Sequence, residues 1–201
     1  MYCINNESIE TLEIKKSKFI TYICPYNKFK LLMLRLKDEH PKARHFVYAY
    51  RYLNEFDQIV ENSSDDGEPK GTSGRPALSV LSGANIINSA VIIVRYFGGI
   101  RLGTGGLVKA YSESVNLVLK SASVGLKKYV KLESKNLEVE YSLLSQIEYM
   151  IAKYEIDVKN KIFNDKIILY LEASKEEFSK LSNELFRSCK LKDNKGEIYI
   201  A

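Results

Sequence analysis

The stretch Arg95-Tyr96-Phe97-Gly98-Gly99-Ile100-Arg101-Leu102-Gly103-Thr104-Gly105-Gly106-Leu107-Val108-Lys109 has the residue types and spacing that point most directly to chemistry. Five of the chain's eleven glycines fall between Gly98 and Gly106. Glycine opens positive φ and lets a backbone approach a partner closely. An apolar run, Ala90 to Val94, leads in as a strand, and a helical pattern leads out. Strand, glycine loop and helix N-terminus together form an anion trap, because the first helical N–H groups lack internal acceptors. Arg95, Arg101 and Lys109 place positive charge around Gly103, Thr104, Gly105 and Gly106. Two common nucleotide fingerprints fail here. Gly98 and Gly103 have phosphate-loop spacing, but Thr104 stands where that loop needs lysine. Gly103-x-Gly105 continues to Val108 rather than glycine, and no acidic residue about twenty positions on could hold a ribose. Phosphate or RNA-backbone contact and simple tight packing against a helix are both compatible with such a loop.

A second group is acidic. Asp65, Asp66 and Glu68 flank Gly67 and precede Pro69. Paired carboxylates can bind Mg²⁺ or act as a general base. They can equally hold a loop by pairing with Arg75, Arg95 or Arg101. His40 and His45 are the only histidines, and Pro41 between them makes a poor metal pair. His40 suits a helix C-terminus, whereas His45, opening a strand beside Arg44, could face a cleft and contact a partner. Ser73 in Gly71-Thr-Ser-Gly74 misses the nucleophile-elbow spacing and reads as a turn hydroxyl. Tyr48, Tyr50, Tyr52, Tyr96, Phe97 and Tyr111, with Arg44, Arg51, Arg95 and Arg101 nearby in sequence, could stack on bases. Alternate strand positions more commonly face a core. No catalytic set and no metal-ligand set can be assembled, and no cofactor is implied.

The elements that must position these residues follow from periodicity and turn chemistry. Glu7 to Ile14 and Lys18 to Tyr26 read as strands around Lys15-Lys16-Ser17. Asn27 would cap a helix from Lys28 to Glu39, with Leu31, Leu32, Leu34 and Leu36 crowding one side. His45 to Leu53 and Phe56 to Glu61 form a hairpin. Residues 62–76 are nearly all turn formers, long for a compact domain, and lean toward function. Pro76 would occupy the first position of a helix to Ala84. A strand Asn88 to Tyr96, the glycine loop and a helix from about Gly105 to Ser121 follow. After Gly125 the pattern becomes strand (Tyr129 to Tyr141), helix to Tyr154, two strands (Ile156 to Phe163, Lys166 to Ala173), a helix opened by the capping box Ser174/Glu177, and a closing strand Ile198 to Ile200. This β-α-β-β-α-β order is that of a ferredoxin-like split βαβ unit. The fold class is α+β in two domains, 1–127 and 128–201.

Composition narrows the class further. The chain has 201 residues, 45% hydrophobic and 27% charged, as in ordinary globular proteins. No run nears the ~20 apolar residues of a membrane span, and no membrane partner is expected. Three scattered cysteines and the absence of a visible signal peptide lead to the expectation of a cytoplasmic protein with reduced thiols. Residues 1–126 carry 16 Lys/Arg against 12 Asp/Glu, and residues 127–201 carry 14 against 13. That balance permits an anionic partner without demanding one.

Three segments, in order, resemble the Impact family in its branch of bacterial YigZ-like proteins. They are Ala43-Arg44-His45-Phe-Val-Tyr-Ala49-Tyr50-Arg51, Asp65-Asp66-Gly67-Glu68-Pro69-Lys70-Gly71-Thr72-Ser73-Gly74-Arg75-Pro76, and Val94 through Val108. Glu13 with Lys15-Lys16-Ser17-Lys18-Phe19 fits the family's early basic-Phe element. The specific match spans about residues 10–125. One departure is Phe46-Val47-Tyr48, where members often carry a polar residue or cysteine and then tryptophan. The resemblance implies an N-terminal domain like the second domain of ribosomal protein S-five and a C-terminal ferredoxin-like domain like domain five of elongation factor G. It also implies, for eukaryotic members, translational regulation through an extra N-terminal RWD domain that is not in this sequence.

The expected function is thus a translation-linked, non-enzymatic binding protein whose partner is RNA or a ribosome-associated factor. The expected contact residues are His45, Arg51, Asp66, Glu68, Arg75, Arg95, Arg101, Gly103, Thr104, Gly105, Gly106 and Lys109. Two alternatives stay open. One is a phosphate- or nucleotide-binding enzyme that uses the glycine loop for a phosphate-containing small molecule and Asp66 or Glu68 for Mg²⁺ or base chemistry. The other is a protein–protein adaptor using the 65–75 loop.

Overall fold

Apolar side chains alternate along the strands of the first half of the chain, and that alternation builds one sheet with two buried faces. The computed structural model describes residues 1–188, and the chain divides into two units, Met1–Tyr129 and a second beginning at Val130. In chain order the first unit contains β1 (Tyr2–Ile4), β2 (Ser8–Ile14), β3 (Ser17–Pro25), α1 (Phe29–Glu39), β4 (His45–Leu53) and β5 (Ile59–Ser64). It continues with α2 (Gly74–Gly83), β6 (Ser89–Tyr96), α3 (Gly103–Ala122) and β7 (Leu126–Lys128). The main sheet has the order β2-β3-β6-β4-β5 with every neighbouring pair antiparallel.

One face of that sheet presents Phe19, Ile23, Val47, Ala49, Val91 and Ile93 to α2 and α3. The other presents Ile20, Tyr22, Cys24, Ala90, Ile92 and Val94 to Leu32 and Leu36 of α1. Central β6 is covered on both sides, which is why Ala90 to Val94 is continuously apolar. On α1 only Leu32 and Leu36 are buried; Leu31 and Leu34 are 72% and 65% exposed. A helix turns about 100° per residue, so positions four apart share a face and the other two leucines fall off it.

Local chemistry decides the joints. Lys15 and Lys16 both take positive φ (47° and 65°), as the two-residue turn between β2 and β3 demands. Helix α2 begins at Gly74, two residues before Pro76, and no side chain caps it. A 3-10 turn, Tyr26–Lys28, leads into α1, where Asn27 was expected to cap; no side-chain cap bond forms. The partner of β4 is Ile59–Ser64, shifted toward the acidic loop relative to the expected Phe56 to Glu61. Sequence periodicity did not reveal β1 and β7, three residues each, which pair with one another as Tyr2↔Lys128 and Ile4↔Leu126.

The second unit holds β8 (Leu132–Val139), α4 (Leu144–Lys153), β9 (Asp157–Phe163), β10 (Ile167–Ser174) and α5 (Lys175–Ser188). Its strand order is β8-β10-β9, both outer strands antiparallel to β10, so β8-α4-β9 is a βαβ unit split by β10. Leu137, Val139, Ile147, Ile151, Ile167, Leu169, Leu171, Phe178 and Leu181 form its core. The capping box is present: Ser174 N–H donates to Glu177 Oε2 at 2.7 Å, and Glu177 N–H donates to Ser174 Oγ at 3.2 Å. The closing strand expected at Ile198 to Ile200 lies outside the described residues. Among the described residues no helix is long and apolar enough to cross a membrane.

Candidate functional site

The first half of the glycine loop is shaped by a contact that glycine alone permits. A Cβ on Gly98 would stand 2.0 Å from the Lys16 carbonyl carbon, so the loop presses against the β2–β3 turn. Gly98 N–H donates to Ser17 Oγ at 3.2 Å. Gly99 and Gly103 take φ of +86° and +73°. Gly105, by contrast, has open space where a side chain would go. The loop delivers the chain into α3, a helix of 20 residues with no acidic residue in its first turn and no side-chain cap. Its leading N–H groups, at exposed Gly103, Thr104 and Gly105, carry the partial positive charge of the helix end. Arg101 precedes them in the loop and Lys109 follows in the second turn of the helix, and both are exposed.

The acidic loop is a built structure rather than a solvated run. Asp65 accepts four hydrogen bonds, from Gly71 N–H (2.7 Å), Gly74 N–H (2.8 Å), Ser73 Oγ (2.7 Å) and Ser73 N–H (3.1 Å). Burial alone would raise its pKa; these donors outweigh that and lower it below the usual carboxylate value. Ser73 is therefore a turn hydroxyl turned inward. Asp66 accepts from Phe46 N–H at 2.6 Å, and its carbonyl accepts from His45 Nδ1 at 2.7 Å, which ties the loop to the start of β4. Gly67 lies against the His45 ring, where a Cβ would come within 3.4 Å of Nδ1.

Glu68 joins the two loops. Its carboxylate pairs with Arg95 of β6, and Tyr111 of α3 donates to the same oxygen at 2.9 Å. The Glu68 and Arg95 side chains are 4% and 6% exposed. Burial, then the neighbouring Glu68 charge, push the Tyr111 phenol well above its ordinary value, so it remains a protonated donor. Phe19 packs edge-on to Tyr111 with centroids 5.1 Å apart, and the Arg95 guanidinium lies 5.3 Å from the Phe19 ring and 5.8 Å from that of Phe97. A buried pair of this kind holds its place only if its remaining valences are met. Tyr111 meets one of Glu68's, while Arg95 Nε has no hydrogen-bond partner among the described residues.

The expected site residues thus fall into two groups. His45 and Arg95, at one end of the sheet, meet Asp66 and Glu68 of the loop 65–74. Gly103, Thr104, Gly105, Gly106, Arg101 and Lys109 form the helix-end group, all exposed except the half-buried Gly106. Arg75 is exposed in the first turn of α2. Arg51 is placed elsewhere: it is 7% exposed, donating to Glu61 at 2.6 Å and to the Ile86 carbonyl at 2.7 Å. Tyr111 was legible only as an aromatic beside basic residues. Its place on the stripe Leu107, Ala110, Tyr111, Ser114, all buried, was the available signal, since a tyrosine on a buried stripe needs a partner for its hydroxyl.

Of the remaining aromatics, Tyr48, Tyr50 and Tyr52 lie on the α1 side of the sheet, ring against ring with Tyr26 and Phe29. Tyr96 takes a hydrogen bond with His40 Nδ1 at 2.9 Å, and Tyr22 one with His40 Nε2 at 3.1 Å, at the C-terminal end of α1. Phe97 is 53% exposed. Among the described residues no group of three or more His, Cys, Asp or Glu could hold a metal ion.

Residues 15–119 match the family model of the Impact N-terminal domain, a span that contains every residue of both groups. A Haemophilus influenzae protein described as an IMPACT family member is 37% identical over 176 residues, covering 86% of this chain and 84% of its own length. The Escherichia coli IMPACT family member YigZ is 35% identical, with coverage of 86% and 85%. A solved structure of a hypothetical protein superposes with a TM-score of 0.68 at 31% identity, covering 94% of this chain and 92% of that one.

Proposed function

The chain belongs to the Impact family, and from that premise we propose that it is a translation-linked regulatory protein that contacts RNA or a ribonucleoprotein through the N-terminal end of α3. The observation that carries the reading is the exposed first turn of α3, free of acidic residues and flanked by Arg101 and Lys109. Backbone N–H groups at Gly103, Thr104 and Gly105 would hold phosphate oxygens, and the missing side chains would let a nucleic-acid backbone come close. Arg75 would extend the basic surface from α2. Arg95, Glu68 and Asp66 would act at one remove, fixing the loops that form the walls, and Arg51 would brace β4 against β5. The translational role follows the family's eukaryotic members and depends on that kinship.

Filter binding of labelled single-stranded RNA across a salt series tests this. Each neutralised phosphate contributes about −0.7 to the slope of log K against log salt. The Arg101→Ala/Lys109→Ala double variant should therefore bind more weakly and lose roughly 1.4 from that slope. A wild-type chain that holds no RNA even at low salt sinks the reading. Thermal stabilisation by ATP or GTP with Mg²⁺ in that case would favour a phosphate-handling enzyme built on the same helix end.

A further inference from the structure

The hairpin turn between β2 and β3 is built against its own stability. Ile14 and Ser17 pair directly, so Lys15 and Lys16 form a two-residue loop, and both take positive φ. Such a turn favours Asn-Gly, because most side chains strain the left-handed region. Two lysines here give up turn stability for charge. Both are exposed, and neither makes an ion pair among the described residues. Glu13, the acidic residue nearest the turn in sequence, stands opposite Lys18 across the hairpin.

The glycine loop is locked onto this turn. A Cβ on Gly98 would overlap the Lys16 carbonyl group, and Gly98 N–H donates to the buried Ser17 Oγ at 3.2 Å. That contact sets the turn one residue from Phe97 and three from Arg101, which is exposed and also without an ion pair among the described residues. Phe97 is 53% exposed. The Arg95 guanidinium lies 5.8 Å from its ring centroid, and Glu68 holds Arg95 in place. The ring thus rests on a fixed cation and keeps open area for a second flat group. An exposed aromatic ring beside unpaired cations suits a nucleic-acid strand, whose base stacks while its phosphates are neutralised. A base already paired in a duplex has no free face to offer, so the ring selects single strands. An acidic peptide would match the lysines but has no regular aromatic face for the ring.

We infer that single-stranded RNA crosses from the glycine loop onto the β2–β3 turn, with one base stacked on Phe97 and adjoining phosphates held by Lys15 and Lys16. The inference rests on the RNA-contact reading above and adds three residues to it. Loss of one stacked base corresponds to roughly fivefold to 150-fold in affinity.

The test is filter binding of the full chain to one labelled RNA, as a single strand and as a duplex, across a salt series. Lys15→Asn/Lys16→Gly installs the residues the turn prefers while removing two cations. It should melt at the wild-type temperature or above, yet lose roughly 1.4 from the salt slope on the single strand. Phe97→Ala should weaken single-strand binding roughly fivefold to 150-fold with the slope and the duplex affinity unchanged, and Phe97→Tyr should bind as the wild type does. A wild-type slope in the turn variant overturns the inference, as does an equal loss on single strand and duplex, or no loss, in Phe97→Ala. If Arg101→Ala/Lys109→Ala still lowers the slope in that case, contact at α3 stands without the turn. Should Phe97→Ala fold poorly, the turn variant decides alone. Binding of a polyglutamate peptide in place of RNA makes the surface a protein contact and overturns the inference too. Absence of RNA binding at every salt removes both readings together.

Discussion

Glu68 and Arg95, 27 residues apart in the chain, meet as a buried ion pair beneath the loop that carries one and the strand that carries the other. Tyr111 closes the cluster from α3. Removing one member of such a pair leaves a charge in a dry site, at a cost of about 3–5 kcal/mol. Glu68→Ala should therefore lower the stability of the first unit by about that amount in urea denaturation. Replacing both members with apolar residues, as in Glu68→Leu/Arg95→Met, should cost clearly less than the two single changes added. Additive losses would mean that the two side chains are energetically independent.

The glycines of the loop should separate into structural and open positions. Gly98→Ala forces a methyl group onto the Lys16 backbone and should destabilise by about 1–3 kcal/mol. Gly105→Ala meets nothing and sits within a helix, so it should stabilise by roughly 0.5–1 kcal/mol. If RNA backbone approaches that turn, the same Gly105→Ala change should weaken RNA binding. Thermal melts and filter binding on the two variants check both statements, and unchanged RNA affinity in Gly105→Ala would place the contact elsewhere.

Asp65 ties the acidic loop to α2 in its charged form. Its folded pKa is lowered, so its contribution to stability is present above the unfolded value, near 4, and is lost as pH falls through the folded one. The protection factors of the Gly71, Ser73 and Gly74 amides, taken against the intrinsic exchange rate at each pH, should be high at neutral pH and fall in acid. Asp65→Asn should show low protection factors at every pH. Protection independent of pH in the wild type would contradict the assignment.

Cys24 is buried in the α1 side of the core, and burial, then Glu7, push its thiol up to about 12. The thiolate is the reactive form, so the native chain should leave Cys24 unlabelled by iodoacetamide at neutral pH. Cys3, half-exposed on β1, should label in the same sample. Peptide mapping by mass spectrometry distinguishes them, and labelling of Cys24 at the rate of Cys3 would show that the α1 face opens readily.

Local signals were legible where the determining atoms are neighbours in sequence. The Ser174/Glu177 capping box, the apolar run of β6 and the two-period alternation of β3 and β4 all act within a few residues, and each appears as its residues imply. The leucines of α1 were less legible, because four leucines in six positions do not say which stripe meets the sheet. The short strands β1 and β7 escaped because three residues carry no period, and their partners are more than 120 positions apart. For the site, the sequence singled out the two loops and offered Arg75, Arg95 and Arg101 as partners of the acidic one, but did not choose among them; the structure selects Arg95.

Residue order alone carries the inventory: an α+β chain, a glycine loop entering a helix, an acidic loop and the family-specific spacing of both. Which charges are paired in the interior and which face solvent is settled only by the long-range packing of the fold. Arg95 and Arg101 stand six positions apart in the same basic stretch, yet one is buried against Glu68 and the other faces solvent. The difference lies in sheet register and helix packing. Strand β6 turns Arg95 onto the covered face opposite His45, where burial in a low-dielectric layer makes pairing obligatory, and those long-range contacts are set only when the whole sheet closes.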